Sequence, residues 1–323
     1  MKNDEIKLVR KIIIFIIIFM VIFWTINQLY INTIMNEKSL TKAQNQFSNL
    51  NKDNLISVAF GDSHVACGIN PHFINNSFNY GSSAESYEQT YYKVKYMINN
   101  FPNVEYYILP IDYSSFLYYT RDKYSNIWYW SKFMSYNELN LATNKSLISL
   151  IILNNFPLIG TGNEIASFIS SSIGIEYNEK TIIDLGWQSQ QIHSSFNSFD
   201  LSHRTRVARE RVRNQFINYF ITKEGLIDSF YNIIDLLEKN NKTIILIKYP
   251  ITREYYQAIK DANITSEFYS EFYNLTLKHS KIHIFDYQEN YLDNQELFAD
   301  SDHIDYLGAE VLSKKINEDL KKI

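Results

Sequence analysis

The 323-residue chain is 46% apolar with a formal net charge of -4, enough to bury a full α/β core and too weakly charged to make an overall electrostatic case for nucleic acid. Its one cysteine, Cys67, excludes an internal disulfide framework and any multi-cysteine metal site, and as a small side chain it reads as packing. Nothing in the composition calls for a cofactor.

Residues 12–35 contain no charged side chain, are densest in Ile and Phe up to Trp24, and are long enough to cross a bilayer as a helix. Lys2, Lys7, Arg10 and Lys11 precede the run, which places residues 1–11 in the cytoplasm and the remainder of the chain outside. Trp24 and Tyr30 suit the outer interface. A cleaved signal peptide is the alternative, but Thr25-Ile26-Asn27-Gln28-Leu29-Tyr30 offers no small-x-small cleavage site, which favours an uncleaved anchor in the cell membrane, touching its lipid.

Residues 36–53 are polar and read as a stalk or a short helix, after which residues 54–323 are expected to form one globular unit. Residues 55–60 make an apolar strand that runs into the turn Gly61-Asp62-Ser63-His64. A strand buried on both faces cannot carry chemistry along its length, whereas the turn beyond its carboxyl end opens onto the crevice of an α/β sheet; Ser63 sits in that turn. Gly68-Ile69-Asn70-Pro71 breaks any helix, and Ser77-Phe78-Asn79-Tyr80-Gly81 is a short strand ending on glycine. Helical spacing over residues 85–100 puts Tyr87, Tyr91, Val94 and Met97 or Ile98 on one face, and a β-rich run over residues 105–111 ends on Asp112.

From about residue 117 to 222 the pattern loosens into an aromatic, Asn- and Ser-rich insertion holding Trp128, Trp130 and Trp187. It is read either as a cover for the sheet's open end or as an ordinary aromatic core between helices. Within it His203 to Arg213 form a helical basic run, either a clamp for a phosphate or, more commonly for such runs, a solvated face. Regular alternation then returns: a helix over 223–240, a strand over 243–248, helices within 253–279, a strand over 282–285 and a closing helix with Leu312, Ile316, Leu320 and Ile323 on one stripe. Strands alternating with helices of this length predict a mostly parallel sheet covered on both faces, a three-layer α/β/α sandwich.

A serine hydroxyl is a poor nucleophile without a base and a group to orient that base. Phe298-Ala299-Asp300-Ser301-Asp302-His303 supplies both, three residues apart, just ahead of the last helix. A cation site built from Asp300, Asp302, His303 and Asp305 is the rival reading, but the spacing lacks the glycine and distal glutamate of a calcium loop and leaves Ser63 unexplained.

In these blocks the chain resembles the SGNH, or GDSL, hydrolase superfamily: Gly61-Asp62-Ser63 is similar to its first block, Asn79-Tyr80-Gly81 to its second and Asp300-x-x-His303 to its last. Over residues 54–116 it looks like the membrane-anchored branch found with cell-surface polysaccharide and teichoic-acid systems, which includes the teichoic-acid D-alanyl transfer protein and alginate-type O-acetyltransferases. The resemblance extends to residues 243–323 and is absent between. It implies a flavodoxin-like sandwich, Ser63 as nucleophile, His303 as base and Asp300 as the group that holds the imidazole. It further implies an oxyanion hole from the amides of Ser63 and Gly81, with Asn79, Asp112 and His64 as neighbouring oxyanion or substrate contacts. Asp112 is also read as a strand-end cap, and His64 as equally able to face a neighbouring helix.

The family's third block carries an oxyanion asparagine, and here Pro110-Ile111-Asp112-Tyr113 has none, a donor whose loss costs about 10²–10³ in rate. The function so implied is an extracytoplasmic serine acyltransferase or esterase acting on a cell-envelope polysaccharide or glycopolymer, supplied by a membrane-bound acyl-donor protein. A catalytically weak glycan-binding or assembly subunit of a surface-polysaccharide system is the alternative that the missing asparagine keeps open.

Overall fold

The computed structural model describes residues 3–116, 124–160, 182–189, 196–262 and 267–323. In chain order, helix α1 (Asn3–Tyr30) and helix α2 (Ser39–Asn49) precede an alternating run of β1 (Ser57–Ala59), α3 (Ser63–Gly68), β2 (Ser77–Asn79), α4 (Tyr87–Asn100) and β3 (Tyr106–Pro110). Three short helices follow, α5 (Ile127–Trp130), α6 (Tyr136–Thr143) and α7 (Leu147–Asn155), and then a hairpin of β4 (Ile182–Asp184) and β5 (Trp187–Ser189). The chain closes with α8 (Leu201–Lys239), β6 (Thr243–Lys248), α9 (Arg253–Asp261), α10 (Glu267–Lys278), β7 (Ile282–Asp286) and α11 (Tyr306–Leu320).

These elements divide between two compact units rather than the single one expected. Met1–Thr41 with Tyr124–Glu179 form one, and Lys42–Lys123 with Lys180–Ile323 the other. The second unit holds a five-stranded sheet in the order β2-β1-β3-β6-β7, in which every pairing is parallel. All six residues of β6 are buried, as a central strand covered on both faces must be, and its apolar run explains why its ends match the sequence reading. On one face α11 lies beside α3 and sends Leu312 and Ile316 into a cluster with Ile108, Ile245 and Ile247. Full burial of each such side chain is worth about 1.5–3 kcal/mol. On the other face α4 packs on α8, with Tyr87 and Phe230 ring to ring at 5.1 Å and Phe60 stacked on Tyr107 at 5.9 Å. Helices therefore cover both sides of the sheet.

Three sequence expectations change. Part of the predicted stalk is α2, and its Phe47 is buried among Phe78, Tyr80 and Phe101 at 4.8–5.1 Å, so it is domain core rather than spacer. The basic run and the helix expected over 223–240 are one 39-residue helix, α8, started by Asp200, whose carboxylate accepts the His203 N–H. The predicted insertion does not behave as one piece: Trp128 and Trp130 lie in the first unit and Trp187 in the second, where its indole N–H donates to the Cys67 carbonyl at 2.6 Å. Residues 117–123, 161–181 and 190–195 of that insertion lie outside the described residues.

Scored by helix length and mean hydropathy, no helix among the described residues is long and apolar enough to cross a membrane. The residues of α1 argue the other way. It runs for 28 residues, about 42 Å at helical rise, and from Ile12 to Leu29 contains no Asp, Glu, Lys or Arg.

Candidate active site

The turn after β1 is shaped by sequence. Gly61 has φ +142°, a region L side chains rarely adopt, and a Cβ there would lie 2.7 Å from the Pro110 ring. Asp62 then caps α3, its carboxylate accepting the His64 N–H at 3.0 Å, and Ser63 becomes the first residue of the helix. Because β1 pairs with β2 on one side and β3 on the other, Ser63 emerges at the carboxyl end of the sheet where the strand order reverses.

The second half of the site is a loop closed on itself. Phe298 bridges Ile304, Ala299 N–H donates to the His303 carbonyl at 2.9 Å, and Thr252 Oγ1 donates to the Ser301 carbonyl at 2.8 Å. Asp300 organises the loop: its Oδ1 accepts the His303 N–H at 2.8 Å and the Asp302 N–H at 3.0 Å. The same carboxylate meets His303 Nδ1 at 2.9 Å, and His303 Nε2 lies 2.8 Å from Ser63 Oγ. With Nδ1–H donating to Asp300, the Nε2 lone pair faces the serine hydroxyl, so the imidazole is positioned to take its proton. Asp302 Oδ1 is farther from Nδ1, at 3.8 Å, which leaves Asp300 as the orienting carboxylate.

Behind this line lies a buried ionic layer that joins residues the sequence reading placed in separate roles. The His64 ring stacks on His303 at 4.6 Å and sits between two carboxylates, Nδ1 at 3.4 Å from Asp62 and Nε2 at 3.6 Å from Asp302. Arg211 Nε and Gln215 Nε2, both from α8, donate to Asp302 Oδ2 at 3.1 and 2.9 Å. Burial alone would push the His64 imidazole down, but the Asp62 and Asp302 carboxylates outweigh it and raise it well above the ordinary histidine value. Burial would likewise raise Asp302, yet His303, His64 and Arg211 hold it well below the usual carboxylate range. Asp62 is lowered on balance, its burial offset chiefly by His64. Both His64 ring nitrogens therefore face carboxylates, while His303 turns Nε2 toward Ser63.

The remaining predicted contacts are spent on the protein. The Gly81 N–H donates to Asn79 Oδ1 at 2.9 Å, so the oxyanion role carried over from the resemblance does not match its bonding. A Cβ at Gly81 would lie 2.8 Å from the Ala66 amide, so the glycine serves close packing against α3. Asn79 is fully buried and donates to the Val65 and Ile69 carbonyls, both at 2.7 Å, bracing α3 rather than meeting substrate. Lys93 fixes the same loop from beneath, donating to the Tyr80 carbonyl at 2.8 Å and to Glu85. Asp112 accepts the Tyr249 N–H at 3.1 Å, which makes it a bridge between strand ends, and burial pushes its carboxyl up to about 7, with Asp62 adding to the shift. His64 is likewise no substrate contact.

The rival cation site is rearranged too. Asp305 caps α11 by accepting the Leu307 and Gly308 amides at 2.9 Å, and Asp300 is committed to His303. Donor atoms of His64, Asp302 and His303 do lie within 4.8 Å of one another, but Asp302 Oδ2 already accepts from a guanidinium and a side-chain amide N–H. The basic run is mostly paired with carboxylates, Arg204 with Glu254 at 2.7 Å, Arg209 with Asp261 at 3.2 Å and Arg211 with Asp302, and so reads as a structural tie rather than a phosphate clamp.

No family model matches the chain, and no curated protein matches it.

Proposed function

We propose that the protein is a membrane-anchored serine acyltransferase or esterase of SGNH type that acts on a cell-envelope polysaccharide or glycopolymer. The observation that carries the reading is the line Asp300–His303–Ser63, with contacts of 2.9 and 2.8 Å, at the carboxyl end of a parallel sheet. Ser63 Oγ attacks the carbonyl carbon of an acyl ester while His303 Nε2 takes its proton. As the tetrahedral intermediate collapses, His303 returns that proton to the leaving alkoxide, and the acyl group stays on Ser63 as an ester. A sugar or polyol hydroxyl, or water, then gives its proton to His303 and attacks the acyl-serine; as that intermediate collapses, His303 returns the proton to Ser63 Oγ and the acyl group leaves on the acceptor. Asp300 keeps the imidazole in the required tautomer and stabilises the imidazolium formed in each half-reaction.

The anchor belongs to the same reading. A helix that is apolar all round, with Ile13, Phe15, Ile17 and Phe19 each at least half exposed, is suited to lipid. Basic residues Lys7, Arg10 and Lys11 before it favour a cytoplasmic start and an outward catalytic unit. Donor and acceptor held at the membrane favour transfer over free hydrolysis, with a membrane-bound acyl-donor protein as partner. A second reading, a weakly catalytic glycan-binding or assembly subunit, is favoured by one observation: the Gly81 amide is spent on Asn79.

The test is acyl release from a chromogenic acetyl ester by the full chain in detergent. Turnover or an acyl-enzyme burst that Ser63→Ala lowers by about 10⁴ or more supports the enzyme. Equal background rates for both chains, with glycan affinity retained by Ser63→Ala, would support the binding subunit.

A further inference from the structure

The first unit sorts its side chains against the usual rule. Helix α7 exposes Leu147, Ile148, Ile151 and Ile152 at 46%, 73%, 47% and 42%, one continuous stripe, while Leu150 on the side that packs toward α5 and α6 is fully buried. Ile159, in the turn that follows, is 54% exposed, and residues 146–160 contain no charged side chain. A helix at the surface of a water-soluble fold turns such a stripe inward; this one turns it outward.

Its place beside α1 says what covers it. Phe156 packs on Phe23 with ring centroids 5.5 Å apart. Asn27, a fully buried polar residue within the apolar stretch, donates through Nδ2 to the Asn155 carbonyl at 3.1 Å and accepts the Leu158 N–H at 3.4 Å. An asparagine amide in hydrocarbon needs internal partners, and the end of α7 and its turn provide them. Phe23 is twelve residues beyond Lys11, about 18 Å of helical rise, less than the roughly 30 Å thickness of a bilayer's hydrocarbon core. If Lys11 marks the inner boundary, the contact with Phe156 falls within the outer leaflet.

We infer that α7 and its following turn are embedded in the outer leaflet beside α1, so that lipid covers Leu147, Ile148, Ile151, Ile152 and Ile159. This rests on the reading of α1 as the membrane span. The exposed stripe carries no charge to repel hydrocarbon, and the end of α7 with its turn is fixed to α1 through Phe156, Asn155 and Leu158. The neighbouring α5 carries Trp128 with Lys132 Nζ 4.0 Å from its ring, a pairing of amphipathic ring and cation that suits headgroup level. The first unit then holds the membrane at two points and is restrained from swinging about a single helix.

The test uses the full chain in phosphatidylcholine vesicles, with Cys67→Ala as background and one cysteine at a time carrying an environment-sensitive fluorophore. Ile148→Cys and Ile151→Cys report on α7, Phe19→Cys on α1 and Leu277→Cys, where the native side chain is 84% exposed, on the other unit. Nitroxide-labelled lipid is expected to quench the α7 probes several-fold more than aqueous iodide does, as at Phe19→Cys and unlike Leu277→Cys. Iodide quenching at α7 with lipid quenching at Phe19→Cys would overturn the inference and leave the anchor standing. Iodide quenching at Phe19→Cys as well would overturn both. Shielding of the α7 probes from both quenchers, with energy transfer between copies, would assign the stripe to a second copy of the chain and overturn the lipid assignment.

Discussion

Two histidines lie face to face at 4.6 Å, each flanked by carboxylates, and their surroundings give them opposite work. His303 bonds its nearer carboxylate, Asp300, which is 44% exposed, with Asp302 farther off at 3.8 Å, and its other nitrogen meets a serine hydroxyl. His64 lies wholly inside, between Asp62 and Asp302, with Arg211 completing the layer. Two buried carboxylates raise His64 well above the ordinary histidine value and face both of its nitrogens, whereas His303 turns one nitrogen to the serine hydroxyl. A Ser–His–Asp constellation is thus defined less by residue types than by which imidazole is left with an unspent nitrogen.

The sharpest way to break this comparison is to disable the outward histidine. His303→Ala is expected to cut kcat/KM on a chromogenic ester by about 10⁴ or more, and Asp300→Asn by about 10²–10⁴ because the imidazole loses its tautomer. Steady-state kinetics on folded variants checks both; a variant at wild-type rate would remove that residue from the mechanism. His64 separates catalysis from stability. Replacing it with Gln leaves two buried carboxylates facing each other with less compensation, and about 3–5 kcal/mol of stability is expected to be lost in chemical denaturation, a larger change than any direct effect on the serine.

The pH dependence sharpens the contrast. His64 has a folded value raised above its unfolded one, so its contribution is complete below the unfolded value near 6.5 and fades as pH climbs through the raised folded value. Asp302 and Asp62 have lowered folded values, so theirs is present above about 4 and fades as pH falls through those values. Stability of the wild type is expected to decline on the alkaline side of neutrality, and His64→Gln to flatten that decline; an unchanged slope would show that the imidazole is not held charged. Asp112 is the smallest effect. Its folded value of about 7 lies above its unfolded value, so deprotonation opposes folding progressively as pH rises from about 4 to 7. Asp112→Asn, which still accepts the Tyr249 N–H, is expected to gain stability relative to wild type across that window in denaturation at pH 4 and pH 8.

Much of this site was legible because its parts are local in sequence. Gly61-Asp62-Ser63 after an apolar strand and Asp300-x-x-His303 before a helix each define a short loop whose capping bonds run between near neighbours, Asp62 to His64 and Asp300 to His303. The second layer was not legible: Asp302 and Arg211 are 91 residues apart, and only the packing of α8 brings them together. Asp62 caps α3 locally, but its pairing with the His64 ring shows only in the folded chain. For the fold, β6 matched end to end because its apolar run has no competing period. By contrast the hairpin of β4 and β5 has three residues per strand, too few for alternation to register, around a Leu185-Gly186 turn with positive φ at both residues. The Gly81 half of the oxyanion assignment does not match its bonding, for a different reason. A glycine's backbone amide carries no label for its partner, and here that partner is Asn79, whose own amide holds α3 in place.

Covalent capture at Ser63 tests the central claim most directly. The full chain in detergent is treated with a fluorophosphonate, digested and read by mass spectrometry, beside Ser63→Ala and His303→Ala. One phosphonyl group on the peptide bearing Ser63, lost in Ser63→Ala and strongly slowed in His303→Ala, is the expected result. Absence of that adduct in the folded wild type, or labelling that survives Ser63→Ala, would contradict Ser63 as an activated nucleophile.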